Sequence, residues 1–278
     1  CSGNLIYSHS DLTMNGSRMP IDLTHYYNST SNTDIGYGTG WRLSYNQKVT
    51  LITVQSPEGD DSQIYYVYTD GDGTNHYFSY DPSSGLYKDQ SGLNITFKKN
   101  TDNTYTIKDK VNDMLNFNIS GQLSSIIDNN GNSITIGYTG NLPTSITDGV
   151  GRITTLNYTD GKLTSIIDPN GRSTTFVYTG SQLSTISYND SRSSTFGYDV
   201  DNKLNSVTGI DGRLISTTYY PSAAGAMLPA VSQVLIKNTD GTLGNQWILY
   251  MDKTLQHLLM KLGVSIHISL TTMEIRHV

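Results

Sequence analysis

The chain has 278 residues, 18 of them basic and 24 acidic, for a formal charge of −6, and it carries 20 Tyr and 26 Gly but only 7 Pro. A mildly acidic chain without a basic stripe and interleaved aromatics offers nucleic acid no electrostatic footprint, and no apolar run approaches the roughly 20 residues that span a bilayer as a helix. With 36% hydrophobic residues and abundant Ser, Thr and Asn, the composition favours short strands and frequent turns.

Cys1 is the sole cysteine, so no disulfide can form within the chain. Cys1-Ser2-Gly3 would suit a lipidated N-terminus, but the missing initiator Met favours a chain that continues upstream. Next comes a segment that reads Gly3-Asn4-Leu5-Ile6-Tyr7-Ser8, Asp11-Leu12, Met19-Pro20, Leu23, Tyr27-Asn28-Ser29 and Gly38-x-Gly40-Trp41. Inside it, Ser8-His9-Ser10-Asp11 holds the ingredients of acyl transfer. Neighbours on a strand face opposite ways, however, and no oxyanion signature accompanies them, so a structural role is expected. Ile64 to Tyr68 and Tyr77 to Tyr80 read as a hairpin. Between them, Asp70-Gly71-Asp72-Gly73 with Asp81 opens like a calcium loop, but Asn75 stands where a glycine is required and Asp81 is shorter than the usual glutamate. A hairpin turn explains the same residues. Asn28, Asn94 and Asn157 begin formal glycosylation sequons, which a chain rich in Asn, Ser and Thr generates by chance.

From residue 128 the sequence repeats with a period of 20 residues, and such a period signals a repeat architecture. Tyr138, Tyr158, Tyr178 and Tyr198 are equally spaced. Each is preceded two residues earlier by Ile136, Leu156, Phe176 or Phe196, and four earlier by Ile134, Thr154, Thr174 or Ser194. Side chains alternate along a strand, so these positions share one face, which is expected to be half-buried. Asp128, Asp148 and Asp168 end each unit and Gly131, Gly151 and Gly171 open the next. A Leu-x-x-Ile stretch such as Leu163 to Ile166 lies between, so one unit is two short strands and two turns. The repeated aspartates are expected to accept backbone N–H bonds at turns. The tyrosines are expected to pack across strands before they stack on any sugar.

After about residue 244 the pattern is lost. Leu255-Gln256-His257-Leu258-Leu259-Met260-Lys261-Leu262 has helix-like spacing, and two readings stand: a variable C-terminal module, or a frameshift. Codons for Ser269 to Arg276 can be chosen that, read two nucleotides on, restore a repeat start. The chain thus divides into an entry segment with first hairpins (1–110), a repeat sheet (111–220), a degenerate repeat or linker (221–244) and an atypical, helical or frameshifted tail (245–278).

The repeats resemble the YD repeats of RHS proteins, with Tyr198-Asp199 preserving the naming dipeptide and Thr139, Thr159 and Thr179 replacing its aspartate elsewhere. The segment from Gly3 to Trp41 is similar to the entry segment of the same family, with Asn15-Gly16-Ser17-Arg18 as a variant of its basic, glycine-containing stretch. The resemblance covers about residues 3 to 220 and implies an all-β fold, a spiralling antiparallel sheet of hairpins that forms part of a hollow shell. It implies a structural function: containing and delivering a C-terminal toxin domain of the same parent chain in bacterial competition, from a secreted or cell-wall-associated location. No catalytic residue, cofactor or metal is expected, and Trp41 joins the tyrosines, aspartates and glycines named above as structural positions. One continuous curved wall is expected, with too few units to close a cavity. The alternative is a cell-surface carbohydrate-binding or adhesion module that contacts glycans through its tyrosines.

Overall fold

The computed structural model describes residues 4–14, 18–55, 62–90, 92, 95–219 and 231–248. Within them the chain is all β, and no helix occurs among the described residues. Two sheets are present. The entry segment makes a three-stranded antiparallel sheet from β1 (Ile6–Met14), β2 (Ile21–Asn28) and β3 (Trp41–Leu43). From β4 (Lys48–Gln55) to the strand Leu243–Ile248, each strand pairs antiparallel with the next, and this larger sheet closes on itself as a barrel. β4 also meets the turn before Leu123: the Val49 amide donates to the Gly121 carbonyl at 2.7 Å, and the Leu123 amide to the Gln47 carbonyl at 3.2 Å.

The hairpin sheet is as the repeat grammar implies, but the single open wall is corrected. The entry segment forms its own sheet, and the larger sheet is closed. Closure removes the unpaired strand edges that an open wall would present. Residues 245–248, expected in an atypical tail, lie in a strand paired with Val231–Lys237. The helix-like stretch and frameshift candidate beyond 248 lie outside the described residues, as do Cys1, Asn15-Gly16-Ser17 and Asn94.

The repeats that end at Asp128, Asp148 and Asp168 join the next strand through an Asp-x-x-Gly turn. The Gly151 amide donates to the Asp148 carbonyl at 2.9 Å and the Asp148 amide to the Arg152 carbonyl at 3.0 Å, with Gly151 at φ 84°. This is a type I turn followed by a left-handed residue, which favours glycine. Ser191 holds the same place at φ 66°. Ser191→Gly should therefore raise stability by up to about 1 kcal/mol and Gly151→Ala lower it by about as much. Urea midpoints that moved the same way for both substitutions would contradict this account.

The Leu-x-x-Ile spacing has a specific cause. Leu156 pairs with Ile166 and Asn157 with Ser165, but Tyr158 pairs with Leu163, so Thr164 is an extra residue bulged from the ladder. Bulging lets Leu163 and Ile166, three apart, both point inward, at 0% and 1% exposure. The bulged side chain then serves the backbone: Thr164 Oγ1 donates to the Asn157 carbonyl at 3.2 Å, and Ser184 Oγ does the same for Val177 at 3.0 Å in the next unit.

Candidate functional site

The face that the tyrosines share is where the two sheets meet. It was expected to be half-buried, but only its tyrosines are. Leu156, Phe176 and Phe196 are buried, and so are Thr154, Thr174 and Ser194, because the entry sheet packs on them. The small or polar residue four before Tyr158, Tyr178 and Tyr198 makes room for β1. Thr154 Oγ1 lies 3.4 Å from Met14 Sδ, Thr174 Oγ1 donates to the Asp11 carbonyl at 3.5 Å, and Ser194 Oγ lies 3.1 Å from His9 Nε2. Successive repeats thus meet β1 at residues 14, 11 and 9. Two strands per repeat span roughly 9–10 Å across a sheet, close to the reach of two or three residues along a strand, so β1 crosses the wall at a matching pitch.

At the centre of this contact is a buried polar cluster. β1 and β2 lose register between Ser10 and Leu12, and this irregularity turns Asp11 inward beside His9. The Asp11 carboxylate, 3% exposed, takes His9 Nδ1 on one oxygen at 3.0 Å and His25 Nδ1 on the other. Burial pushes the Asp11 carboxyl upward, but the hydrogen bonds and charge interaction with His25 and His9 outweigh it and hold the group below the ordinary carboxylate range. Ser194, His9 and Asp11 therefore have the hydrogen-bond order of a nucleophile–base–orienter triad. Ser8 and Ser10, the serines adjacent in sequence, are not part of it. Ser194 is 1% exposed and His9 9% exposed, so the arrangement acts as a polar clamp between the two sheets. His25 Nε2 has no hydrogen-bond partner among the described residues and sits among the rings of Phe176, Tyr37 and Trp41, with centroids at 5.1, 5.6 and 6.2 Å.

The structural positions named from sequence surround this clamp. Trp41 is fully buried, with its ring 4.9 Å from Phe196 and its Nε1 donating to Tyr198 Oη at 2.8 Å. Tyr198 Oη in turn donates to the Leu183 carbonyl at 2.7 Å. Tyr158 Oη lies 3.1 Å from Tyr37 Oη, and Tyr138 Oη donates to the Tyr45 carbonyl at 3.4 Å. Tyr178 Oη is buried with no partner among the described residues, and Lys162 Nζ lies 4.9 Å from its ring centre. Burial keeps these phenols neutral by raising them; the hydroxyl of Tyr27, which accepts the Leu204 amide at 3.0 Å, is pushed up to about 12.

The aspartates stand apart from one another at their turns. Asp148 Oδ1 accepts the amides of Val150 and Arg152 at 3.0 and 2.9 Å and its Oδ2 takes Arg152 Nε at 2.7 Å; Asp168 repeats this with Asn170 and Arg172. Asp128 uses Asn130 and Asn132 in the same way. Gly131 and Gly171 hold φ 81° and 80° beside them. In the calcium-like loop, Asp70 accepts the amides of Asp72 and Thr74 at 3.2 and 3.0 Å and pairs with His76 at 2.8 Å. Asp81 belongs to a separate turn, where it accepts from Ser83 and Ser84. Among the described residues no group of three or more His, Cys, Asp or Glu has metal-site geometry, and no helix is long and apolar enough to cross a membrane.

The sequence reading named Ser194 and Gly38-x-Gly40 as pattern positions but missed His25, the contact of Ser194 with His9, and the docking of the loop Asp34 to Gly40 on the wall. That loop runs along the tyrosine-end turns of the repeats: the Gly36 carbonyl accepts the Leu163 amide at 2.9 Å, and the Thr39 amide donates to the Ser181 carbonyl at 2.8 Å. The recurring Thr or Ser four residues before Tyr158, Tyr178 and Tyr198 was the available signal that something must fit against the wall.

Residues 1–78 match a family described as "Domain of unknown function (DUF6531)". No curated protein matches. Among solved structures, the chain is similar to TcdB2-TccC3 without its hypervariable C-terminal region, at 12% identity and a TM-score of 0.28, over 75% of this chain and 14% of that one. A TcdB2-TccC3-Cdc42 structure matches at 12% identity and a TM-score of 0.28, over 84% of this chain and again 14% of the other. The chain therefore spans about one seventh of the length of the structures it matches.

Proposed function

We propose that this chain is a segment of an RHS/YD-repeat shell wall, non-catalytic itself, whose parent chain carries a C-terminal toxin effector delivered in bacterial competition from a secreted or surface location. One observation carries the reading: the repeat hairpins form a single closed sheet wrapped on the entry sheet. The apolar and tyrosine side of each repeat packs against the core, while Thr155, Thr175 and Thr195 are exposed on the other side. Such a wall separates an interior from solvent and needs no reacting group. The glycan-adhesion reading comes second, because the rings first offered for it, Tyr158 and Tyr178, pack against the core cluster.

The test is the complete gene and its product. A downstream effector-coding region with an adjacent immunity gene is expected. The effector region in the assembled full-length protein should resist protease under conditions that degrade the same region expressed alone. A gene without any effector region, or an effector digested equally fast in both forms, would overturn the proposal.

A further inference from the structure

Two of the repeat turns carry an Asn-Gly pair at the same place, Asn130-Gly131 and Asn170-Gly171. Such a pair has a chemistry of its own: the glycine amide nitrogen can attack the asparagine Cγ, because no Cβ shields it. Both pairs are exposed at their turns, and nothing lies within 4 Å of where a Cβ on Gly131 or Gly171 would stand. In each, the glycine amide donates to the carbonyl of the aspartate three residues earlier, at 3.0 Å for Gly131 and 2.9 Å for Gly171. An exposed turn opens locally at little cost, and opening frees that nitrogen.

The two carboxamides differ in how they are held. At the first turn the side chain of Asn132, and beside it that of Asn130, hydrogen-bond the Asp128 carboxylate and hold its carboxyl below the ordinary range. At the second turn Arg172 takes that place. The Asp168 carboxylate accepts the Asn170 and Arg172 amides on one oxygen, each at 2.9 Å, and Arg172 Nε on the other at 2.6 Å. Among the described residues the Asn170 carboxamide takes no part in this set. Its Cγ therefore swings toward Gly171 N without first giving up a bond.

We propose that Asn170 is a site of spontaneous deamidation, and that the isoaspartate formed there unlocks a hairpin beneath the entry sheet. Gly171 N bonds to Asn170 Cγ and loses its proton, the carboxamide nitrogen leaves as ammonia, and water opens the resulting succinimide. Opening at the main-chain carbonyl gives isoaspartate, with one more methylene in the backbone; opening at the side-chain carbonyl gives aspartate. The added methylene moves the Gly171 amide off the Asp168 carbonyl and breaks the turn between the strands Lys162–Ile167 and Ser173–Thr179. The second of these strands carries Thr174 and Phe176, which meet Asp11 and His25 of the entry sheet. The inference stands apart from the shell reading, since it concerns the chemistry of one turn.

Incubation of the full chain for several weeks in mildly alkaline buffer, followed by tryptic peptide mapping, tests it. The peptide 163–172 should gain the mass of an amide-to-acid exchange and split into isoaspartyl and aspartyl forms. Asn170 should convert about fivefold faster than Asn130, since the hydrogen bond that Asn130 must give up is worth about 1 kcal/mol. In a urea-unfolded sample, where neither turn exists, the two should convert at equal rates. The isoaspartyl fraction should melt below fresh protein, whereas Asn170→Asp, which gains the charge without the methylene, should melt with it. An unmodified 163–172 peptide, conversion of Asn130 as fast as that of Asn170 in the folded chain, the same rate difference in urea, or an isoaspartyl fraction that melts with fresh protein would overturn the proposal.

Discussion

Replacing Asp11 by alanine should destabilise the protein by about 3–5 kcal/mol, the range observed when one member of a buried charged network is removed. The carboxylate holds His9 and His25 together across β1 and β2, and through His9 it reaches Ser194 on the wall. Without it, two imidazoles remain in a site lined by Phe176, Phe196 and Trp41. Asp11→Asn should cost less, because one oxygen and one amide group remain to be used. Urea unfolding followed by tryptophan fluorescence measures both, and a loss below about 1 kcal/mol for the alanine variant would show that the clamp does not hold the sheets together. The pH dependence has a definite sign. Because the Asp11 carboxyl is held below its ordinary value in the folded protein, its stabilisation is complete above the unfolded carboxylate pKa of about 3.9 and is lost as pH falls through the lower folded value. The gap between parent and Asp11→Ala stabilities should therefore be wide at neutral pH and narrow in strong acid. A gap that widened on acidification would reverse this assignment.

Trp41→Ala should cost an amount of similar size, about 3–5 kcal/mol, as for other large-to-small substitutions at fully buried aromatics. Trp41 contacts rings from both sheets, with Tyr27 at 5.4 Å and Tyr7 at 6.1 Å on its own side and Phe196 at 4.9 Å on the wall. Truncation therefore leaves a cavity at the junction itself, where neither sheet can collapse without losing the other's contacts. Trp41→Phe keeps most of the ring and removes the hydrogen bond to Tyr198 Oη, so it should cost about 1 kcal/mol from the bond together with a smaller packing loss. Trp41→Ala combined with Phe196→Ala should cost less than the sum of the two, since the rings touch. Strict additivity in that cycle would show that the two rings stabilise separate regions.

The hairpins were legible because everything that makes them is local. Asp148, Gly151 and Arg152 close their turn within five residues, and the recurrence of that grammar every 20 residues identified an extended antiparallel sheet. The Leu-x-x-Ile spacing even carried the bulge, since two inward residues three apart are incompatible with plain alternation. Packing was placed ahead of sugar contact for Tyr158 and Tyr178 from sequence, but what they pack against was not legible, because an alternating pattern assigns residues to a face without saying what covers that face.

What the sequence determined by itself is the unit: its strands, its turns, its inward row of Leu, Phe and Tyr, and the entry motif that precedes them. Only the tertiary structure decided that the entry segment leaves the wall to form a separate sheet, that the wall closes, and that His9 meets Ser194 across 185 residues of chain. The physical reason is that turn and strand preferences act over a few residues, whereas burial of the repeat face is satisfied by whatever apolar surface the closed sheet brings against it, and no local pattern specifies that partner.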